Sequence, residues 1–178
     1  GKEHRGFMVD LARFWHPKRT IIAYLDLCFF YKIKYLHLHF VDYQSYTLPS
    51  KVFPKLPTKN RHYSAEDIAE ICREAKVRNI TIIPEIEMPG HATPLLQEYP
   101  EIFLDKVDED VLEKLKHGQI SLGAWDAVLC AGNERGFEAL KRMIDEVIEL
   151  FPDSPYIHIG GDEAAIGLWN YCSCCREY

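Results

Sequence analysis

The chain has 178 residues, 27 acidic against 21 basic side chains for a formal net charge of −6, and 47% hydrophobic and 12% aromatic residues. At roughly 100–200 residues per domain, this composition describes a single globular domain over residues 1–178 that buries a core without disulfide or metal staples. The acidic balance repels phosphate backbones and anionic lipid, no basic stripe offsets it, and the apolar runs are too short to cross a bilayer, so neither nucleic acid nor membrane is expected as a partner.

The opening Gly1-Lys2-Glu3-His4-Arg5-Gly6 has neither an initiator Met nor a charged-then-apolar leader, so it reads as a processed or excised boundary and leaves the compartment open. Gly6 to Leu11 then forms a short apolar run, a predicted strand, and Pro17 opens a helical stretch to about Tyr31. Tyr35 to Phe40 alternates in a strand-like way and is followed by a loop rich in Pro and Lys. Ser64, with Asp67 three residues on, is a capping-box start for a helix from Ala65 to Arg78, closed by Asn79. Thr81 to Ile86 is the third predicted strand. The turn Pro89-Gly90-His91 leads into a longer connection with a helix near Pro94 to Tyr99. Asp105 to Trp125 is the least regular region, and its charged run 105–118 reads as a surface helix or excursion. Phe137, Leu140, Ile144, Val147, Ile148 and Phe151 recur at helical spacing, Pro152 ends that helix, and Tyr156 to Gly160 is the fourth predicted strand.

Strand and helix therefore alternate, with crossovers long enough for parallel pairing, which makes the fold class α/β. Polar and titratable residues follow each strand: Asp10 and Arg13; Asp42 and Gln44; Glu85, Glu87 and His91; Asp162 and Glu163. Side chains at the carboxyl ends of parallel strands converge on one face, where ligands bind. Such chemistry from successive strand ends is the signature of a barrel.

Cys28 and Cys72 fall in apolar helical patterns and read as small core residues. Cys172-x-x-Cys175 is half of a zinc site by spacing, but tetrahedral zinc needs four ligands and the sequence shows no second pair, so no metal and no cofactor are expected. His37, His39 and His158 alternate with apolar residues and look inward. Hydrogen-bonded histidines are the reading preferred over a zinc trio. Asp162-Glu163 places two carboxylates on a glycine turn after a strand, where the backbone can pass close to a ligand. Neighbouring side chains point opposite ways, so the two must meet different parts of a substrate. A bland alternative stands beside this, with Asp162 capping the next helix and Glu163 simply solvated.

Five segments together resemble the catalytic domain of glycoside hydrolase family 20, the β-N-acetylhexosaminidases. They are Arg5-Gly-Phe-Met-Val-Asp10-Leu-Ala-Arg13, His37-Leu-His39-Phe-Val-Asp42-x-Gln44, Ile83-Pro-Glu85-Ile-Glu87-Met-Pro-Gly-His91-Ala, Leu129-Cys-Ala-Gly-Asn133-Glu134 and His158-Ile-Gly-Gly-Asp162-Glu163. The resemblance implies a (β/α)₈ TIM barrel and retaining hydrolysis of terminal β-linked N-acetylglucosamine or N-acetylgalactosamine, with the substrate's own acetamido oxygen as nucleophile. By match to the family's motifs, Asp162 would stabilise the acetamido group, and Glu163 would be the general acid and base. Arg5 would grip sugar hydroxyls, and Asp42 and His91 would lead in series toward the general acid, with Glu85 and Glu87 as an acidic pair in support or in ion pairs. The chain departs from the family's frequent Asp-Asp-Gln-Gly-Trp in having Asp42-Tyr43-Gln44-Ser45-Tyr46, and its Trp169-x-x-Cys172-x-x-Cys175 ending resembles a structural variant of many bacterial members.

A full barrel takes about 250 residues, so the resemblance implies only the first four β/α units, a half barrel. Its open edges predict association, such as a homodimer that covers them. The expected partner is a glycan containing N-acetylhexosamine. The alternative is a half barrel that binds N-acetylated sugar without turnover or is inactive.

Overall fold

A computed structural model describes residues 4–104, 110, 113–114, 117–119 and 128–177. The expected surface helix or excursion in the run 105–118 lies largely outside these residues. Strand β1 (Gly6–Asp10) is followed by helix α1 (Lys18–Phe30) and strand β2 (Tyr35–His39). A short hairpin, β3 (Val41–Asp42) and β4 (Ser45–Tyr46), precedes helix α2 (Ala65–Val77) and strand β5 (Thr81–Glu85). Helices α3 (Thr93–Glu98), α4 (Pro100–Phe103) and α5 (Glu134–Leu150) follow, and 3-10 turns cover Ile166–Tyr171 and Cys175–Glu177. Among the described residues, no helix is long and apolar enough to cross a membrane.

The sheet is parallel in the order β1-β2-β5, which makes the architecture α/β. Its register aligns Asp10 with His39 and His39 with Glu85, so three strands end at one level. Pleating sends alternate residues to opposite faces. Val9, Leu36, Leu38 and Ile82 are buried beneath the helices, against Ile21, Leu25 and Cys28 of α1 and Ile68, Ile71 and Ala75 of α2. The opposite face carries Met8, His37, His39, Ile83 and Glu85, and its polar members gather toward the carboxyl ends.

Local chemistry explains the elements. Ser64 accepts the Asp67 N–H at 3.0 Å while the Asp67 carboxylate accepts the Ser64 N–H at 3.1 Å, a complete capping box that fixes the start of α2. Helix α5 starts three residues before the predicted apolar stripe. Asn133 caps it by accepting the N–H groups of Arg135 and Gly136, and its own amide donates to the Ile102 carbonyl at 2.7 Å.

Two elements differ from expectation. Strand β2 ends at His39, and the chain folds back as the hairpin β3–β4, with Tyr43 and Gln44 at the turn. The predicted fourth strand forms a single parallel bridge, His158 with Glu85, rather than a ladder. Its backbone still follows the edge of β5: His158 N–H donates to the Pro84 carbonyl, and the Ile86 and Met88 N–H groups donate to the His158 and Ile159 carbonyls. Tyr156 and Ile159 are each 52% exposed, so this segment lacks the burial that would extend the pairing.

Candidate active site

Each strand end delivers a polar residue through its own local device. At the end of β1, the Asp10 carboxylate accepts the Ala12 and Arg13 N–H groups at 3.1 and 2.9 Å, turning the chain so that Arg13 swings back over the site. The Arg13 guanidinium then bridges Asp10 at 2.7 Å and Asp42 at 2.9 Å. Asp42 is fully buried on the β3–β4 hairpin, where the Tyr43 N–H donates to it at 2.6 Å.

Around Asp42 the side chains form a continuous chain. Its Oδ2 lies 2.8 Å from His39 Nε2, and its Oδ1 lies 3.0 Å from His91 Nδ1. His91 Nε2 in turn lies 3.5 Å from Glu163 Oε2. On the other side, His39 Nδ1 reaches Glu85 Oε2 at 2.8 Å, and Glu85 also meets His37 Nε2 at 2.6 Å and His158 Nδ1 at 3.0 Å. The sequence therefore runs Glu163, His91, Asp42, His39, Glu85, from an exposed carboxylate inward to a buried one.

Burial opposes charge at His39, Asp42, Glu85 and Glu87, and the partners overcome it at the first three. At His39, burial is outweighed by hydrogen bonds to Asp42 and Glu85, and its pKa rises to about 10. Asp42 is held below the ordinary carboxylate range: burial pushes it up, but His39, the Tyr43 N–H, His91 and Arg13 push it down further. Glu85 is likewise held well below that range by His37 and His39 against its burial. Glu87 goes the other way. It is 1% exposed, and burial, reinforced by the negative charges of Asp162 and Glu85, lifts it to about 7 despite a hydrogen bond from the Gly161 N–H.

Glu87 supports the glycine turn. The Gly161 N–H donates to its Oε1 at 2.8 Å, and a Cβ on Gly160 would fall within its carboxylate. Gly160 and Gly161 have φ of 68° and 102°, in the region that favours glycine. Two non-glycine residues in the site share that region, Glu163 at 46° and His91 at 51°. Each costs on the order of 1 kcal/mol or more, the kind of local strain that persists where surrounding contacts over-determine it. The two turns also touch: a Cβ on Gly90 would lie 3.1 Å from the Ala164 Cα.

The structure thus brings together Asp42, Glu87, His91, Asp162 and Glu163. Asp162 and Glu163 are exposed, and they do not cap a regular helix, since the next element is a 3-10 turn beginning at Ile166. Arg5 stands apart. It is exposed just before β1, at the amino end of the sheet, and its backbone carbonyl accepts from Lys34 and Tyr35. Arg13, to which the sequence reading gave no role, is the arginine at the cluster. Its signal was position alone, three residues beyond a strand-end aspartate. His37, His39 and His158 gather around Glu85.

Comparison with known proteins shows the family. The glycosyl hydrolase family 20 catalytic domain matches residues 3–178. A protein named beta-hexosaminidase from Porphyromonas gingivalis is 33% identical over 98% of this chain, which spans 23% of that protein. One of the same name from Akkermansia muciniphila is 32% identical over 97% of the chain, spanning 36% of it, and the human beta-hexosaminidase subunit beta is 30% identical over 94%, spanning 29%. Among solved structures, a chitobiase from Flavobacterium johnsoniae superposes with a TM-score of 0.84 at 31% identity, covering 98% of this chain and 26% of its own. The chain thus spans about a quarter to a third of the relatives it matches. With a match across nearly its whole length, the chain belongs to glycosyl hydrolase family 20 as part of a catalytic domain of that family.

Proposed function

We propose that the protein containing this chain is a retaining β-N-acetylhexosaminidase that removes terminal β-linked N-acetylhexosamine from glycans by substrate-assisted catalysis, with Glu163 as general acid and base and Asp162 holding the acetamido group. The observation that carries this reading is the side-chain series from Glu163 through His91 and Asp42 to His39 and Glu85. With Asp42 ionised, His91 presents its Nδ1–H to it and turns Nε2 toward Glu163. The imidazole then takes a hydrogen bond from protonated Glu163, or as imidazolium donates one to the carboxylate. Both protonation states of a general acid and base are thereby accommodated. At 3.5 Å the contact is looser than a closed hydrogen bond, in keeping with a site that tightens around substrate.

The leaving oxygen takes the Glu163 proton as the acetamido oxygen attacks the anomeric carbon. Asp162, which brings a carboxylate oxygen within 4.8 Å of Glu163 and His91, meets the positive charge that builds on the acetamido nitrogen. Glu163 then removes a proton from the water that opens the oxazolinium intermediate. Arg5 enters this proposal by its motif match alone, as a ligand for sugar hydroxyls.

The chain itself is proposed to be a single domain, residues 1–178, that supplies the first four β/α units of a barrel. The parallel order β1-β2-β5 supports this, as does the backbone of residues 157–159 following β5 on its far side. Among the described residues β1 pairs on one side only, with Phe7 and Met8 exposed. Further strands of the same protein, or a second copy of the chain, would cover that edge, and sedimentation of the isolated chain distinguishes a dimer from a monomer.

The test is hydrolysis of N-acetyl-β-glucosaminides by the full-length protein and its Glu163→Gln variant, with a p-nitrophenol and an alkyl alcohol as leaving groups. The variant should lose about 10²–10⁴-fold on the alkyl substrate and far less on the activated one, where departure needs little protonation. Equal losses on both would sink the general-acid role.

A further inference from the structure

The cysteines near the carboxyl end of the chain form a site that the proposed catalysis does not use. Cys172 and Cys175 lie at the two ends of a C-x-x-C segment, and the fold brings a third thiol to them from 42 residues earlier in the chain: Cys130 Sγ lies 3.5 Å from both Cys172 Sγ and Cys175 Sγ. All three sulfurs fall within 4.8 Å of one another. Sulfurs bound to one tetrahedral zinc at about 2.3 Å sit roughly 3.8 Å apart. A disulfide would instead need one pair at about 2.05 Å, and Cys130 singles out neither partner.

The surroundings are built to hold the thiols in place. Gly132 packs against the Cys174 backbone so closely that a Cβ there would lie 2.5 Å from the Cys174 carbonyl carbon. Trp169 Nε1–H donates to the Leu129 carbonyl at 3.0 Å, and the Arg176 N–H donates to the Cys172 carbonyl at 3.2 Å. The N–H groups of Gly132 and Ala131 point at Cys175. Three thiolates this close repel one another unless a cation lies among them.

We propose that Cys130, Cys172 and Cys175 bind one zinc ion through three thiolates, forming a structural clasp between the Leu129–Gly132 segment and the turns that follow Glu163. On binding, each Sγ–H bond is broken, its proton passes to solvent, and the sulfur forms a bond to zinc. The fourth corner of the tetrahedron falls to a water or another donor. The clasp bears on the candidate active site through the backbone, because the Leu129 N–H donates to the Pro89 carbonyl at 2.9 Å, two residues before His91. It would hold the His91 turn against the turn that carries Asp162 and Glu163. The sequence reading, which found two ligands and no second pair, missed Cys130 because only the fold brings it to the other two.

The test is elemental analysis of the full-length protein purified with reductant and without chelator, followed by replacement of bound metal with cobalt(II). One zinc per chain is expected, with cobalt giving an intense thiolate charge-transfer band and the visible bands of a tetrahedral ion. Cys130→Ser and Cys175→Ser should each abolish stoichiometric zinc and the charge-transfer band, while Cys72→Ser keeps both. If a serine variant fails to fold, cobalt titration of the wild-type protein with its thiols first blocked by alkylation gives the same comparison. Reduced wild-type protein that takes up neither metal, or zinc retained in full by Cys130→Ser, overturns the proposal.

Discussion

The Glu87→Gln substitution puts the reading of the site's electrostatics to a quantitative test. Glu87 is buried under the Gly160-Gly161 turn, and its pKa is raised from 4.5 to about 7, first by burial and then by Asp162 and Glu85. Between those values the folded state keeps a proton that the unfolded chain has lost. Stability therefore falls as pH rises through this window and levels off above it. The loss amounts to roughly 3 kcal/mol at full extent. Glutamine has the same shape, never ionises, and still offers an oxygen to the Gly161 N–H. At pH 5 it should match the protonated acid and leave the melting temperature nearly unchanged. At pH 8 it should stabilise the fold by the full amount, roughly 3 kcal/mol, because the raised pKa already includes the bond that the Gly161 N–H makes to the carboxylate. For a domain of this size that is an upward shift of roughly 6–12 °C. Thermal denaturation of wild type and variant at the two pH values measures it. Destabilisation of similar size at both would show that Glu87 is ionised and holds the turn by charge, and the argument would fail.

Other expectations follow from the same contacts. Asp162→Asn should lower kcat on the order of 10²-fold even for a p-nitrophenyl substrate, because the acetamido group needs its partner whatever leaves; a near-normal rate contradicts that role. Arg5→Lys should raise KM more than it lowers kcat, since an ammonium does not reproduce a bidentate fork. Unchanged KM would remove Arg5 from the site. The His39 pKa of about 10 means that its stabilising charge is fully present below the ordinary value of 6.5 and is lost as pH rises toward 10. His39→Gln should therefore lower the melting temperature most below about pH 6.5 and progressively less as pH rises toward 10; a parallel, pH-independent drop would show that the imidazole is neutral in the fold.

Much of this fold is local in origin, and that part is legible in the sequence. The capping box at Ser64, the stripe on α5 and the alternation of β2 each depend on residues within a few positions of one another, and each appears close to where those residues imply. What the sequence hides is set by contacts across long separations. The segment around His158 has strand composition, but a strand needs neighbours, and here only β5 is beside it. The β3–β4 hairpin is invisible because Asp42 and Ser45 are held there by distant groups: Arg13 and His91 on Asp42, and the Ala12 carbonyl, which accepts the Ser45 hydroxyl at 2.6 Å. The convergence of strand-end residues was legible because parallel register enforces it. The membership of Cys130 in the thiol cluster was not, because no spacing rule connects positions 42 residues apart.

Glu85 and Glu87 show where sequence reading stops for a different reason. They are the same residue type, two positions apart, and the sequence treats them as one acidic pair. The structure gives them opposite states. Glu85 lies among three imidazoles and is held ionised, completing the charge of the inner series. Glu87 faces the Gly160-Gly161 backbone and the field of Asp162, and is pushed toward the neutral acid. Glu85 carries its charge where imidazoles surround it, whereas Glu87, buried beneath the exposed Asp162, avoids placing a second like charge there by taking up a proton.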